Sequence, residues 1–100
     1  MVETKFTPGP WRISRFAETS VETLEDRGIC NTGGYQQNFD TDRVFAENLA
    51  NARLVAAAPD LFEALTIFVL HYPPGINPFL DQAAVKGCKA LAKAAGQECV

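Results

Sequence analysis

NARLVAAAPDLFEAL, residues 51–65, decides how this chain folds, because it joins two apolar helical patterns at a proline. The first pattern recurs at helical spacing and marks a buried stripe on Val44, Phe45, Leu49, Ala52, Val55 and Ala56. The second is broader and is predicted to be central to the core, on Leu61, Phe62, Leu65, Phe68 and Val69. Pro59 lacks a backbone donor and disfavours helical angles at Ala58, so the sequence predicts a kink or a break there.

Toward the N-terminus the pattern changes from helical spacing to strand alternation. After the rigid turn of residues 7–10, three β-rich segments follow at residues 11–16, 19–24 and 28–32. A short turn links the second segment to the third, and it ends in Gly28, a residue suited to a left-handed position. These features predict a meander of three short antiparallel strands.

Toward the C-terminus the pattern predicts one more helix. Residues 71–75 form a stiff connector, and Asn77-Pro78 combines a capping residue with a proline in the first turn. An inner seam follows at Leu80, Ala84, Cys88, Leu91 and Ala95, and Gly96 ends the helix. The predicted fold class is therefore α+β: one domain over residues 1–100, with the N-terminal meander packed against two to three C-terminal helices.

Composition limits the classes of function. A hydrophobic fraction of 47% and 21% charged residues are typical of a folded chain and exclude whole-chain disorder. The net charge of −3 argues against direct nucleic-acid binding. No apolar run is long enough for a membrane span, and no signal-peptide pattern is present. Three irregularly spaced cysteines then favour reduced thiols and a cytoplasmic location.

The residue types that usually carry catalysis or bind metals are scarce. His71 is the single histidine, and its place at a helix end favours a role in capping the last carbonyls. Cys88 falls on the apolar seam, where a small core residue is expected. Three isolated cysteines and one histidine do not give the close ligand pairs of a zinc site. The chain is predicted to be no enzyme and to hold no metal or cofactor.

Two sets of residues are candidates for binding a partner. The first is an acidic patch with aromatic anchors, which would engage a basic protein surface; the alternative is ordinary solvated charge. It consists of Glu18, Glu22, Glu25, Asp26, Tyr35 and Phe39. The second would contact a phosphate or another anion. It consists of Arg12, Arg15, Gly33, Gly34 and Arg53.

The last helix also has a face of small residues that allows close packing, within the chain or between copies. It consists of Ala83, Gly87, Ala90 and Ala94. A homodimer or another homo-oligomer is therefore expected. Residues 1–65 carry a net charge of −4 and residues 66–100 a net charge of +1. This difference favours an ordinary solvated surface; the alternatives are that the two parts face different partners, or each other across a dimer.

TPGPW at residues 7–11 and NARLVAAAPDLFEAL at residues 51–65 together resemble a family of small phage and prophage accessory proteins. That family pairs an N-terminal TPGPW with a later NARLIAAAPELLEAL-like helix. This chain departs from the pattern only conservatively, at Val55, Asp60 and Phe62. The resemblance implies a phage protein in the cytoplasm of a bacterial host, and it supplies no catalytic residues to carry over.

Three functions fit such a chain. The first is an inhibitor that binds a host protein or defence complex in stoichiometric amount, as an anti-CRISPR does, through the acidic patch. The second is an oligomeric sponge that sequesters a signalling nucleotide through the anion-binding set. The third is a structural or regulatory phage protein without a defence role. The absence of catalytic machinery favours binding functions over an enzyme, and the uneven charge together with the phage resemblance favours the first.

Overall fold

The computed structural model describes residues 5–33 and 41–96, and it divides the chain into two compact units. The first unit is Thr7–Asp60, and the second combines Met1–Phe6 with Leu61–Val100. The elements are β1 Trp11–Ile13, β2 Ser20–Thr23, β3 Gly28–Asn31, α1 Thr41–Ala56, α2 Ala58–His71 and α3 Pro78–Ala94. A three-stranded antiparallel sheet followed by three helices confirms the predicted α+β class.

The sheet has the order β1-β2-β3, with Trp11 opposite Thr23 and Val21 opposite Cys30. Its strands are shorter than predicted at their turn ends. β1 stops at Ile13 because Ser14 begins the turn: its amide donates to the Ser20 carbonyl at 2.8 Å, and its hydroxyl oxygen accepts from the Phe16 amide at 3.1 Å. Side-chain bonds of this kind compete with a strand ladder for backbone groups.

Thr23 organises the turn between β2 and β3. Its hydroxyl oxygen accepts from the amides of Glu25 and Arg27, at 3.3 and 3.1 Å, and its own amide donates to the Arg27 carbonyl at 2.8 Å. The left-handed residue of the turn is Asp26, with φ 65°, so the prediction that Gly28 takes this position is wrong. Aspartate tolerates the left-handed region, which leaves Gly28 to begin β3.

The first unit has a small core where α1 packs on β1 and β2. Val21 and Ala52 are its buried apolar residues among those described. The Thr32 hydroxyl lies 2.6 Å from the Asn48 carbonyl and donates to it, which ties the end of β3 to α1. Gly9 lies so close to Pro59 that a Cβ atom placed on it would be 2.5 Å from the Pro59 Cβ. The TPGPW and NARLVAAAPDLFEAL segments are therefore in direct contact.

The predicted interruption at Pro59 is a full break. α1 ends at Ala56, Ala57 forms a turn whose amide donates to the Arg53 carbonyl, and α2 begins at Ala58. Pro59 thus lies in the first turn of α2, where an amide hydrogen is not needed. Within the described residues no single helix is long and apolar enough to cross a membrane; only α1 and α2 counted together reach that length and composition.

In the second unit α2 packs against α3 at Gly87, the one buried residue of α3. A Cβ atom at Gly87 would lie 2.8 Å from Leu65 Cδ1 and 3.2 Å from Val69 Cγ2. Phe6 meets Phe62 edge-on, with ring centroids 5.1 Å apart. The ends of α3 are as predicted: the Asn77 side chain accepts from the Phe79 and Leu80 amides, and Gly96 follows with φ 74°.

The prediction that the α2 stripe is central to the core is wrong. No residue of α2 is buried, and Leu61 is more than half exposed. Leu65, Phe68 and Val69 do face inward, but each remains half-buried. Two packed helices shield from solvent only the side chains between them. Full burial of the α2 stripe would require a further helix or sheet packed against it.

Candidate functional site

Two arginines and two carboxylates form one network on the sheet, the sheet cluster of Arg12, Arg15, Glu22 and Asp26. Arg12 on β1 lies directly opposite Glu22 on β2, and its guanidinium is 2.8 Å from Glu22 Oε2. The same guanidinium lies 2.7 Å from Asp26 Oδ1, and the Arg15 guanidinium lies 2.9 Å from that oxygen. Antiparallel pairing places Arg12 and Glu22 together, and the left-handed turn brings Asp26 to them.

The charges of the sheet cluster are unequally accessible. Glu22 is only 7% exposed, whereas Asp26 and Arg15 remain open to solvent. The hydrogen bond from Arg15 holds the pKa of Asp26 below its usual value, and the positive charges of both arginines act in the same direction. Asp26 therefore stays ionised in mild acid. The cluster is a neutral, mutually paired set rather than a concentrated negative patch.

The predicted acidic patch is thus divided by the structure. Glu22 and Asp26 lie in the sheet cluster, while Glu18 and Glu25 are exposed on the two turns and make no ion pair within the described residues. Tyr35 and Phe39, the predicted aromatic anchors, lie outside the residues that the structure describes.

Two exposed apolar side chains lie on the turns that flank β2, and the sequence analysis did not single them out. Phe16 is 84% exposed in the β1–β2 turn, where the Arg15 guanidinium lies 5.5 Å from its ring centroid. Leu24 is half exposed at the start of the β2–β3 turn. The sequence pattern assigned both residues to strand ends, and their position next to turn residues was the available signal. Phe16 and Glu18 precede β2, and Leu24 and Glu25 follow it, on two separate turns. These four exposed residues are together named the turn surface below.

Of the predicted anion-binding residues, the structure brings Arg12 and Arg15 together at Asp26 Oδ1. Arg12 and Arg15 bind carboxylates of the chain itself. The Gly33 amide donates to the Asn31 side chain at 2.7 Å, and Arg53 lies exposed in the last turn of α1. Gly34 lies outside the described residues. A phosphate would have to compete with Glu22 and Asp26 for the two sheet arginines.

The described residues contain no group of three or more histidine, cysteine, aspartate or glutamate side chains able to hold a metal ion. His71 is exposed, and the described part of the chain shows no hydrogen bond from its ring to the helix end. Cys88 is half-buried on α3, and Cys30 is exposed on β3.

Hydrogen bonds to Asp81, which the sequence analysis missed, fix the connector between α2 and α3 to the start of α3. The Tyr72 hydroxyl donates to Asp81 Oδ1 at 2.6 Å, and the Gly75 amide donates to the same oxygen at 3.0 Å. The bond from Tyr72 lowers the pKa of Asp81, while desolvation and the neighbouring carboxylate raise the pKa of Tyr72. This arrangement is a structural lock, since Asp81 Oδ1 on α3 accepts from two groups of the connector.

The comparison of the chain with known families gives one result. Residues 1–98 match the family described as Salmonella phage P22 protein Y8K6. Comparisons with curated proteins and with solved structures give no match.

Proposed function

We propose a function from one premise: the chain belongs to the phage protein family described as Salmonella phage P22 protein Y8K6. On this basis the protein acts by stoichiometric binding to a protein of the bacterial host, and it performs no catalysis of its own. The target we favour is a host defence complex of the CRISPR–Cas kind, which the protein inhibits by occupying a surface that the complex needs.

The observation that carries the proposal is the exposure of large apolar side chains beside unpaired charge on the turn surface. Exposed aromatic residues next to charged groups are characteristic of protein-binding surfaces, where a few anchors supply most of the binding energy. Phe16 is the principal anchor because it is 84% exposed and Arg15 lies over its ring. Leu24 is the second.

Charge supports the same surface. Glu18 and Glu25 are exposed and keep their charge available to a partner, whereas Glu22 and Asp26 are already paired. We therefore narrow the charged contacts to Glu18 and Glu25, which steer a basic partner toward the anchors. The sheet cluster holds Arg15, and with it the Phe16 ring, in place, which limits the conformational entropy lost on binding.

The first experiment is capture of host proteins by the tagged full chain, with the Phe16→Ala/Leu24→Ala variant beside it. Wild-type protein is expected to retain one host protein or complex in near-equal amount, and the variant is expected to lose it. The matched control is Leu54→Ala, which removes from α1 a leucine at least as exposed as Leu24. Equal capture by all three proteins would remove the turn surface from the proposal.

The second experiment tests the defence role directly. Phage plating is measured on host strains that carry or lack a defined defence system, with and without the protein. Restored plating that depends on Phe16 supports inhibition of that system. Unchanged plating across a panel of systems, together with a captured partner outside them, would replace the anti-defence role by a regulatory or structural one.

A further inference from the structure

The helical hairpin formed by α2 and α3 leaves the outer side of α2 open to solvent. Leu65 and Val69 face α3 at Gly87. Ile67 lies two residues from each of them, which is about 160° around a helix of 3.6 residues per turn. Ile67 is 55% exposed and Leu70 is 60% exposed, although α2 is the most apolar of the three helices by composition.

The outer side of α2 has a symmetric arrangement of residues about Ile67. Glu63 and His71 lie four residues to either side of it, and Ala64 and Leu70 lie three residues to either side. Residues three and four positions apart share one face of a helix. All five side chains are exposed. This set is named the α2 outer face below.

The two ends of the α2 outer face carry complementary polar groups. Glu63 supplies a carboxylate. His71 supplies an imidazole, which donates a hydrogen bond in either charge state and is positive when it is protonated. Neither side chain forms an ion pair within the described residues. Both groups are therefore available to a partner.

We propose that a second copy of this chain covers the α2 outer face with its own α2, in antiparallel orientation about a two-fold axis at Ile67. Each Ile67 then packs against the same residue of the other copy. Glu63 of each copy lies level with His71 of the other, and Ala64 lies level with Leu70. Two-fold symmetry makes each of these contacts twice. This inference does not depend on the proposed function.

The symmetry of the face selects a second copy over a foreign helix, and it selects the orientation. A parallel pair would place Glu63 beside the same carboxylate of the other copy. The antiparallel pair instead places a carboxylate beside an imidazole, and the small Ala64 leaves space for Leu70. Each chain uses only one face, on the side away from α3, so the packing within the hairpin is unchanged.

The proposed interface is small, because it consists of a single helix face in each copy. Interfaces of less than about 1,200 Å² belong to weak and transient complexes. The dimer is therefore expected to dissociate on dilution.

The test is a charge swap on the full chain, read by sedimentation equilibrium over a range of protein concentrations. The wild-type mass is expected to rise from the chain mass of 10.9 kDa toward twice that value. Glu63→Lys and His71→Glu are each expected to weaken the dimer about tenfold, because each change acts at two contacts. A mixture of the two variants pairs the introduced lysine with the introduced glutamate and keeps one original contact, so it is expected to restore the dimer.

Cross-linking at the axis tests the placement of the interface. In a background that lacks Cys30, Cys88 and Cys99, Ile67→Cys is expected to form a disulfide between two copies under mild oxidation. A residue on the axis contacts its own counterpart, at the short Cβ separation that a disulfide requires. Leu54→Cys, at an exposed position on α1, is the matched control and is expected to remain unlinked.

Glu47→Lys is the control for the charge swap, because it makes the same charge change on exposed α1. It is expected to leave the dimer unchanged, with the helix content of every variant confirmed by circular dichroism. A wild-type mass of one chain at every concentration would overturn the proposal and leave the face to a foreign partner. A loss for Glu63→Lys no larger than for Glu47→Lys, a mixture that stays monomeric, or equal cross-linking of the two cysteine variants would overturn it as well.

Discussion

Gly9 does not have a positive φ, so its backbone conformation does not require glycine. The space around it does, because Pro59 leaves no room for a side chain. A Cβ atom there would lie 2.5 Å from the Pro59 Cβ and 3.0 Å from its Cγ, and a proline ring cannot rotate away. Gly9→Ala is therefore expected to lower the free energy of unfolding by about 1–3 kcal/mol, as overpacking does.

Gly28→Ala is the matched control, because nothing lies within 4 Å of a Cβ atom at that position. It is expected to be neutral or to stabilise the fold by up to about 1 kcal/mol. Urea unfolding of both variants measures the difference. Equal stability of the two would mean that Gly9 and Pro59 are not in contact.

Arg12 is expected to matter more to stability than any other arginine of the sheet. Its removal leaves the carboxylate of Glu22, which is only 7% exposed, without its main partner. Arg12→Ala should therefore lower the free energy of unfolding by about 1–3 kcal/mol. Arg27→Ala, at an exposed side chain with no ion pair in the described residues, should change it by less than about 0.5 kcal/mol. Similar losses for both variants would contradict the role of the sheet cluster.

At the scale of residues, the sequence identified the charged side chains but not their pairing. Glu22 and Asp26 were interpreted as part of an open acidic patch, and Arg12 as a candidate anion ligand. Their pairing depends on strand register, which includes an irregularity between Val21 and Glu22. A slip of one residue would turn Glu22 to the other face of the sheet, and local sequence patterns do not specify such a register.

Among the elements, the connector between α2 and α3 is held by the bond between Tyr72 and Asp81. The raised pKa of Tyr72 means that stability from this bond is complete below pH 10, the usual tyrosine value, and is lost as the pH rises through the folded pKa. The lowered pKa of Asp81 means that its contribution is present above pH 3.8 and is lost as the pH falls through the folded value.

The tyrosine titration gives a direct check. In a Tyr35→Phe background Tyr72 is the one remaining tyrosine, and its ultraviolet absorbance should titrate above pH 10. Asp81→Ala is expected to bring the midpoint down toward 10, since the neighbouring carboxylate is removed. A midpoint that Asp81→Ala leaves unchanged would show that the lock is not formed in solution.

The ends of the elements were predictable where one residue specifies them. Asn77, Pro78 and Gly96 bound α3 as expected, because capping depends on local chemistry. The predicted strands extended beyond the observed ones, because the residues after β1 and β2 also have high β propensity. Side-chain hydrogen bonds of Ser14 and Thr23 place those residues in turns instead. The left-handed residue of the turn between β2 and β3 was assigned to Gly28 rather than to Asp26, because glycine adopts that conformation most readily.

For the whole molecule, the two units are expected to differ in local stability. The buried residues of the first unit lie in β2 and α1, whereas α2 has none. Amide hydrogen exchange in dilute solution should therefore be slowest in Val21–Thr23 and near Ala52. α2 and α3 should exchange faster, because between them they bury only Gly87. Protection of α2 equal to that of α1 at the lowest concentration would contradict this order.

The fold class and the order of elements were predictable for the whole chain, but the position of the core was not. The α2 stripe has the spacing and apolar content of a central helix, and yet the structure leaves it half-buried. Helical spacing indicates which side of a helix needs cover. It does not indicate whether the same chain or another supplies that cover.

The contact between Gly9 and Pro59 has a consequence for how related chains diverge. The two positions are fifty residues apart in sequence and share one small volume, so a larger residue at one is tolerated only when the other becomes smaller. Gly9→Ala combined with Pro59→Ala should cost less than the two single changes together suggest. Family members with a side chain at the position of Gly9 are accordingly expected to lack the proline at position 59. The two positions should therefore co-vary among related sequences.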